Sequence, residues 1–587
     1  MQPMTGQPVQ GTPTLAAADA AVAKSRPWWR EPELLALLAM TACFYMIRVT
    51  DLSVRGEESR RGRIAWEMWH TGDWIVPRIQ GQPVFFRPPL QNWLIALVGM
   101  MHGSVDEFAL RVPSVLAMLA LVVIVYGYGR SFLSRFGAFF CALSLVSLGQ
   151  VLELGRLGET DSLFTLFLAG SLLTWKWCRN AGASERRAWC WGYGLAALAT
   201  LTKGPQAPLY FVGSVAIYCL ITGRRRELFS RDHLVGLLTG LAIVGLWQVP
   251  YAIKMGPRAS YDIYFHDVGP RFFDFTLGNV LGHMVTYPLE LLAGSLLPWS
   301  AWLICLVSDD FRKHLRRWRS DVLYLTVCMA VAFPSVWIAP GASLRYYMSL
   351  FPCFACLVGI LVEARVTLPA NQVWSDFVCW YQRTAAMMIF LVGGAVAAFS
   401  WLRPHSEMAQ STAFTVIYFT ACALAAAWIW GLSTRITPRA ILLSFTVVAC
   451  FLGLSQATLV VNLRRQFSED AGEAVAVMKE QIPQDAKFVS LGQAHHLFLF
   501  HLREPVRLLK HNEDDPVAWA GAEYFCLWTK GTDPPQLDFA WDPVATISCD
   551  RNRSGRPTEV TIVGRRKPVV TAASDSSASD SSRPVRF

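Results

Sequence analysis

The sequence is poor in charge. Only 16% of its 587 residues are Asp, Glu, Lys or Arg, where a soluble globular chain carries about 25%, so a water-facing surface over the whole molecule is excluded. No Walker-type phosphate loop, GxGxxG turn or HExxH helix occurs. Their absence removes the nucleotidases, dinucleotide enzymes and zinc proteases that those motifs mark. Residues 1–30 are polar and Ala/Pro-rich, without a short apolar core and small-residue cleavage site, so they are expected to form a tail and not a cleaved signal peptide. The 14 cysteines lack metal-ligand spacing. Cys353 and Cys356 form a CxxC inside an apolar run, with no second Cys or His pair nearby, and a buried free thiol is ordinary there. Cys526 and Cys549 stand apart in a polar region and could pair if that region faces an oxidising compartment.

Hydrophobicity is what the sequence has in excess: 53% apolar residues and a mean hydropathy of +0.33. Thirteen apolar runs lie near 32–49, 108–128, 135–153, 160–178, 188–203, 205–222, 234–254, 288–307, 321–339, 345–364, 384–402, 413–431 and 440–460. Runs of about this length cross the hydrocarbon core as helices, because lipid offers the backbone no other hydrogen-bond partners. The fold class expected is mainly α, a polytopic transmembrane bundle. The net charge of +10 reads as a topology signal and not as a nucleic-acid surface. Arg130 and Arg135, Arg179, Arg186 and Arg187, Arg224 to Arg226, the 312–319 cluster, and Arg435 and Arg439 all sit in alternate short loops. The positive-inside rule makes that face cytoplasmic. The opposite face then receives the 50–107 loop, the Gly155–Asp161 turn, Lys203, the 255–287 loop, the Arg345 region and the C-terminal part. One late span more or less would move the C-terminal part and leave the early loops in place.

The organisation expected is a cytoplasmic tail (1–30), a transmembrane domain (31–462), a small extracytoplasmic α/β domain (463–570) and a disordered end (571–587). Within the 50–107 loop, Arg60 to His70 reads as an amphipathic helix at headgroup level, broken by Gly72-Asp73-Trp74. The stretch from Pro88-Pro89 to Gly103 is short for a span and is placed along the interface. After 462, Asp470 to Gln481 has helical periodicity, while Lys487–Ser490, Val506–Leu509 and Thr558–Val563 are strand-like.

Several polar residues could carry chemistry. Glu57 and Glu58 stand beside Arg60, Arg61 and Arg63. A paired carboxylate with guanidinium neighbours suits a general base next to an anionic leaving group that arginine can grip in a bidentate way. A solvated charged loop at a helix end is the plainer alternative. Asp161, at the edge of the fourth run, either faces a cavity or partner, or Thr160 or Asp161 simply caps the helix. Lys203 and Arg345-Tyr346 either contact a phosphate or snorkel to the interface. His266, Asp267, Arg271, His283 and Tyr287 share the 255–287 loop. Two histidines and an aspartate could bind a divalent metal, but no tight ligand spacing supports one, and no metal ligand is assigned.

The run Gly56-Glu57-Glu58-Ser59-Arg60, then Gly72-Asp73-Trp74-Ile75-Val76-Pro77-Arg78 and Phe86-Arg87-Pro88-Pro89-Leu90, resembles the first outer loop of the aminoarabinose-transferase and protein O-mannosyltransferase group, membrane glycosyltransferases of the GT-C fold. Thr202-Lys203-Gly204-Pro205, Tyr287-Pro288 with Leu297-Pro298-Trp299, and Leu344-Arg345-Tyr346-Tyr347 continue the likeness, which covers residues 30 to 365. The resemblance implies inverting transfer of a sugar from a polyprenyl-phosphate carrier to a lipid, glycan or protein acceptor on the extracytoplasmic side of a bacterial inner membrane. It places Glu57 (or Glu58) at the catalytic acidic position, Asp161 at a second acidic position, and Arg60, Arg87, Lys203, Arg345 and Tyr346 about the carrier phosphate. Three residues depart from the family pattern: Glu57 where it has Asp, Arg61 where it has Tyr, and Phe86 where the aminoarabinose enzymes have a Glu implicated in metal binding. A transporter or flippase is one alternative, although such proteins keep ionisable residues near mid-membrane and these runs do not. A catalytically inactive relative serving as a binding subunit is another.

Overall fold

The computed structural model describes residues 27–54, 56–265, 276–368, 372–435, 437–467, 470–483, 485–511, 516–531, 536–551 and 557–567. The chain divides into two compact units at 469/470.

The first unit is helical. It opens with α1 (Pro32–Met46), α2 (Glu57–Thr71) and α3 (Leu90–His102), followed by α4 (Glu107–Arg130), α5 (Arg135–Val146), α6 (Gly149–Leu154), α7 (Thr160–Asn180), α8 (Glu185–Thr202), α9 (Gln206–Ile221) and α10 (Arg231–Phe265). Seven helices among the described residues are long and apolar enough to cross a membrane: α4, α10, Asp309–Trp337, Leu344–Thr367, Asp376–Leu402, Thr412–Leu432 and Pro438–Arg465. Leu277–Ser295 and Trp299–Val307 make an eighth if taken together, bent by 114°. The protein is therefore a multi-pass membrane protein. Helices α1, α5 and α9 are apolar but shorter.

Three expected runs are altered by their backbones. The 135–153 run is broken, because α5 ends at Ser147-Leu148 before α6 begins. The 288–307 run is the bent pair. The 234–254 run continues to Phe265 across a break at Gly256 (φ 85°, ψ 169°), ahead of Pro257. Pro257 has no N–H to offer a continuing helix.

Small residues let the helices approach, as in other membrane bundles. A Cβ on Gly192 of α8 would lie 2.2 Å from the Phe211 ring, and one on Gly236 of α10 would lie 2.6 Å from Trp189 Cβ. Trp175 and Trp189 are buried beside these contacts, with Trp175 against Trp189 and Trp189 against Phe211.

Between α2 and α3 lies a two-stranded hairpin, β1 (Arg78–Ile79) with β2 (Gln82–Pro83). Its turn is held from α2: Glu67 accepts from the N–H groups of Gln80 (2.7 Å) and Gly81 (3.2 Å) and from Arg63 Nε (2.9 Å).

The second unit contains a five-stranded sheet of order β4-β3-β5-β7-β6, made by β3 (Phe488–Leu491), β4 (Arg507–Leu509), β5 (Tyr524–Lys530), β6 (Trp541–Arg551) and β7 (Pro557–Arg566). β3 pairs in parallel with β4 and β5, while β7 pairs antiparallel with β5 and β6. Asp470 caps the helix Ala471–Glu480 through Gly472 N–H. The possible Cys526–Cys549 disulfide is not made, and both side chains are buried. Cys526 lies on β5 and Cys549 on β6, with β7 between them. Two strand spacings are about 9.5 Å, beyond the Cα separation a disulfide spans. Burial also pushes the Cys549 thiol pKa up to about 11.

Candidate functional site

Helix α2 supplies one wall. It starts after Gly56, whose positive φ of 56° turns the chain in, and stops at left-handed Gly72, which donates to Met68 O. Glu57 and Glu58 occupy the first turn, where the helix dipole favours carboxylates. Arg60 and Arg61 lie three and four residues on, within side-chain reach. Arg60 Nη1 donates to Glu57 Oε1 (2.7 Å), and Arg61 Nη2 lies 3.5 Å from Oε2. The Arg60 guanidinium rests over the Phe86 ring, 4.2 Å from its centroid.

Glu58 points elsewhere. It is fully buried, and its two oxygens take Arg111 Nε (3.0 Å), Arg111 Nη2 (3.1 Å) and Gly158 N–H (2.7 Å). Arg111 also donates to Val49 O and Leu52 O. Glu58 thus ties α2 to α4 and to the turn before α7. Both of its oxygens are engaged by protein donors in the interior, so of the two carboxylates it is Glu57 that lines the cavity.

The opposite wall comes from three helix ends. Asp161 sits in the first turn of α7 but caps nothing: the N-cap residue is Glu159, which itself makes no side-chain capping bond. Asp161 is 2% exposed and accepts from Lys203 Nζ (2.7 Å) and Arg345 Nη2 (2.5 Å). Lys203 closes α8, ahead of Gly204 at φ 147°. It is neither snorkelling nor lost to solvent: Nζ lies 5.4 Å from the Phe164 ring and 5.2 Å from the Tyr346 ring. Arg345 also bonds Glu159.

The walls enclose a polar cavity of about 210 Å³ lined by Glu57, Arg60, Arg61, Phe86, Arg87, Glu159, Thr160, Lys203, Arg345 and Tyr346. Five cationic side chains thus meet two carboxylates, with Asp161 behind them. A second cavity of about 310 Å³ shares Lys203 and Tyr346 with the first and is otherwise mostly apolar, with Phe164, Pro205, Leu209, Val336 and Ala339 in its walls. Cations at the mouth of an apolar cleft suit an anionic head on a hydrocarbon chain.

The structure brings Glu57, Arg60, Arg87, Lys203, Arg345 and Tyr346 together, with Asp161 underneath. It does not bring His283 or Tyr287 there: His283 Nε2 donates to Val336 O (3.0 Å), and Tyr287 is buried in the core. His266, Asp267 and Arg271 lie outside the described residues. Glu159 was not anticipated as a lining residue. Its signal is present in Gly158-Glu159-Thr160-Asp161, two acids flanking a helix start, yet nothing local shows that Arg345 meets both.

Residues 86–247 match the family model of dolichyl-phosphate-mannose-protein mannosyltransferases. The fold matches ArnT from Cupriavidus metallidurans bound to undecaprenyl phosphate, with a TM-score of 0.67 over 90% of this chain and 97% of that one, at 17% identity. The chain therefore shares the fold of that ArnT structure. Among curated proteins, the undecaprenyl phosphate-alpha-4-amino-4-deoxy-L-arabinose arabinosyl transferase 2 of Proteus mirabilis is 24% identical over 310 residues, 51% of this chain and 54% of that protein. The corresponding transferase of Aeromonas salmonicida is 26% identical over 317 residues, 53% of this chain and 56% of that protein. The chain thus spans about half the length of the curated relatives it matches. The family-model match begins at Phe86, so it includes Phe86, Arg87, Glu159, Asp161 and Lys203 and stops short of Glu57 and Arg345.

Proposed function

We propose that this chain is an inverting glycosyltransferase that moves a sugar from a polyprenyl-phosphate carrier to a lipid, glycan or protein acceptor. The observation that carries the reading is the junction of the two cavities. An apolar cleft ends on Lys203 and Tyr346, where the five-cation cavity holding Glu57 begins. The polyprenyl chain lies in the cleft and the phosphate sits among Lys203, Arg345, Arg87 and Arg60.

Glu57 takes the proton of the acceptor hydroxyl or amine. The acceptor atom attacks the anomeric carbon from the face opposite the phosphate, the carbon–oxygen bond to phosphate breaks, and the electron pair leaves on a phosphate oxygen. Cations fixed in place stabilise that developing charge without reorganising. Asp161 and Glu159 hold Lys203 and Arg345 in position.

The cavity does not fit a divalent metal: among the described residues no cluster of three His, Cys, Asp or Glu side chains occurs, and Glu57, Glu159 and Asp161 each already face a cationic side chain. Transfer by the purified protein is therefore expected to persist in chelator, and its loss there would overturn that expectation.

We place the site on the extracytoplasmic face of a bacterial inner membrane, with thirteen spans and a C-terminal α/β domain. Helix is present at each of the thirteen runs, and the Arg-rich loops alternate with the loops that supply the site. Purified protein given labelled polyprenyl-phosphate sugar and a crude lipid, glycan or protein acceptor is expected to transfer label, and Glu57→Gln to abolish transfer while leaving carrier binding. Undiminished transfer by Glu57→Gln would sink the assignment.

A further inference from the structure

The charges in the polar cavity bear on which sugar it admits, a question that rests on the reading above. Among the described residues, each carboxylate at the cavity is already held by a cation: Glu57 by Arg60 and Arg61, Glu159 by Arg345, and Asp161 by Lys203 and Arg345. Arg87 adds a fifth positive charge to the lining. A carrier phosphodiester brings one negative charge, so the occupied cavity still has cations in excess. The remaining lining is Phe86, Thr160 and Tyr346, which offers ring faces and a hydroxyl. Phe86 stands at the Arg60 side, its ring covered by that guanidinium. An aromatic ring there can stack against the C–H face of a sugar, and it supplies no countercharge.

We infer that the donor sugar is uncharged, and that Phe86 is a specificity-determining residue that leaves a sugar ammonium without a partner. The inference separates this chain from the 4-amino-4-deoxy-L-arabinose in its relatives' names, at the one property in which a hydroxyl and an ammonium differ most. A like charge forced among fixed cations is repelled, and discrimination by such repulsion is how binding sites commonly reject a near-isosteric competitor.

The test uses full-length protein in lipid nanodiscs and displacement of a labelled polyprenyl phosphate by two matched carriers. One bears a neutral pentose, and the other bears the same pentose with one hydroxyl replaced by an amine. The neutral carrier is expected to bind about tenfold or more tightly than the amino carrier at neutral pH. The gap is expected to close as pH is raised through the amine's own pKa, while the neutral carrier is unaffected over that interval. Phe86→Glu is expected to narrow the gap and Phe86→Gln, similar in size without charge, to leave it. The wild-type pH series carries the test if Phe86→Glu does not fold. Equal or tighter binding of the amino carrier by the wild type overturns this inference alone. Failure of polyprenyl phosphate itself to bind overturns it together with the transferase reading.

Discussion

Glu57 and Glu58 are neighbours on one helical turn, yet about 100° of rotation about the axis gives them opposite fates. Glu57 faces the cavity, whereas Glu58 is sealed against Arg111 and Gly158. Glu57→Gln is therefore expected to leave the melting temperature within a degree or so, since it removes only the ion pairs of a half-exposed carboxylate with Arg60 and Arg61, and to lower kcat by about 10²- to 10⁴-fold, the usual worth of a positioned base. Glu58→Gln is expected to do the reverse in stability: removing one partner of a buried ion pair costs about 3–5 kcal/mol, read as a large fall in melting temperature, with activity lost only as fold is lost. Equal melting temperatures for the two variants would contradict the division of roles. The sequence alone could not make that division, because the residue that decides it, Arg111, lies 53 positions away. Glu57, Arg60, Lys203 and Arg345 were legible because each sits at a helix end beside a motif. Glu159 was hidden by looking like an ordinary cap.

Helices and strands were legible to the extent that their signals are local. α2 and α3 follow directly from the periodicity and the Gly72 and Pro88-Pro89 punctuation. β5 and β6 were not foreseen: β5 is a buried run without alternation, as a central strand should be, and β6 carries Pro543 and register shifts against β7. The breaks at Ser147-Leu148 and Gly256 follow from packing and a local glycine, which a run of apolar residues does not display. One carboxylate ties the start of the loop after α2 to α10. Asp73 accepts from Lys254 Nζ (3.1 Å) on α10 and from the N–H groups of Ile75 (3.1 Å) and Val76 (3.3 Å). Burial works against its charge, but Lys254 and the two N–H groups outweigh it and hold its pKa below the usual value. A depressed folded pKa means stability present above the ordinary aspartate pKa and lost as pH falls through the folded one. Asp73→Asn is expected to lower stability by roughly 1–2 kcal/mol at pH 7. The deficit should shrink toward zero below about pH 3 as the wild-type carboxyl protonates. Melting curves of both proteins in detergent at the two pH values check this, and a deficit independent of pH would mean the contact is not ionic.

The whole molecule sets a constraint that no single site can: every cavity residue must lie on one face of the membrane. Glu57, Lys203 and Arg345 come from α2, the end of α8 and the start of Leu344–Thr367, and they converge only if the helices between them cross an appropriate number of times. The short apolar helices α5 and α9 are weak spans by length, yet removing either alone would put Arg130 and Arg224 to Arg226 on opposite faces. Positive charge on one side is the rule that such a count would break. With thirteen spans, Arg225 and Arg435 share a face opposite Glu407 and Gly531. Single cysteines at these four positions, in a chain whose native cysteines are replaced by serine or alanine, should divide accordingly toward a membrane-impermeant maleimide in intact cells. Glu407→Cys and Gly531→Cys are expected to label from outside, and Arg225→Cys and Arg435→Cys only after the membrane is opened. Labelling of Glu407→Cys without Gly531→Cys would remove one span between them and move the second unit to the other face, leaving the cavity where it is. Labelling of Arg225→Cys in intact cells would strike earlier in the chain and invert or miscount the helices that build the site itself.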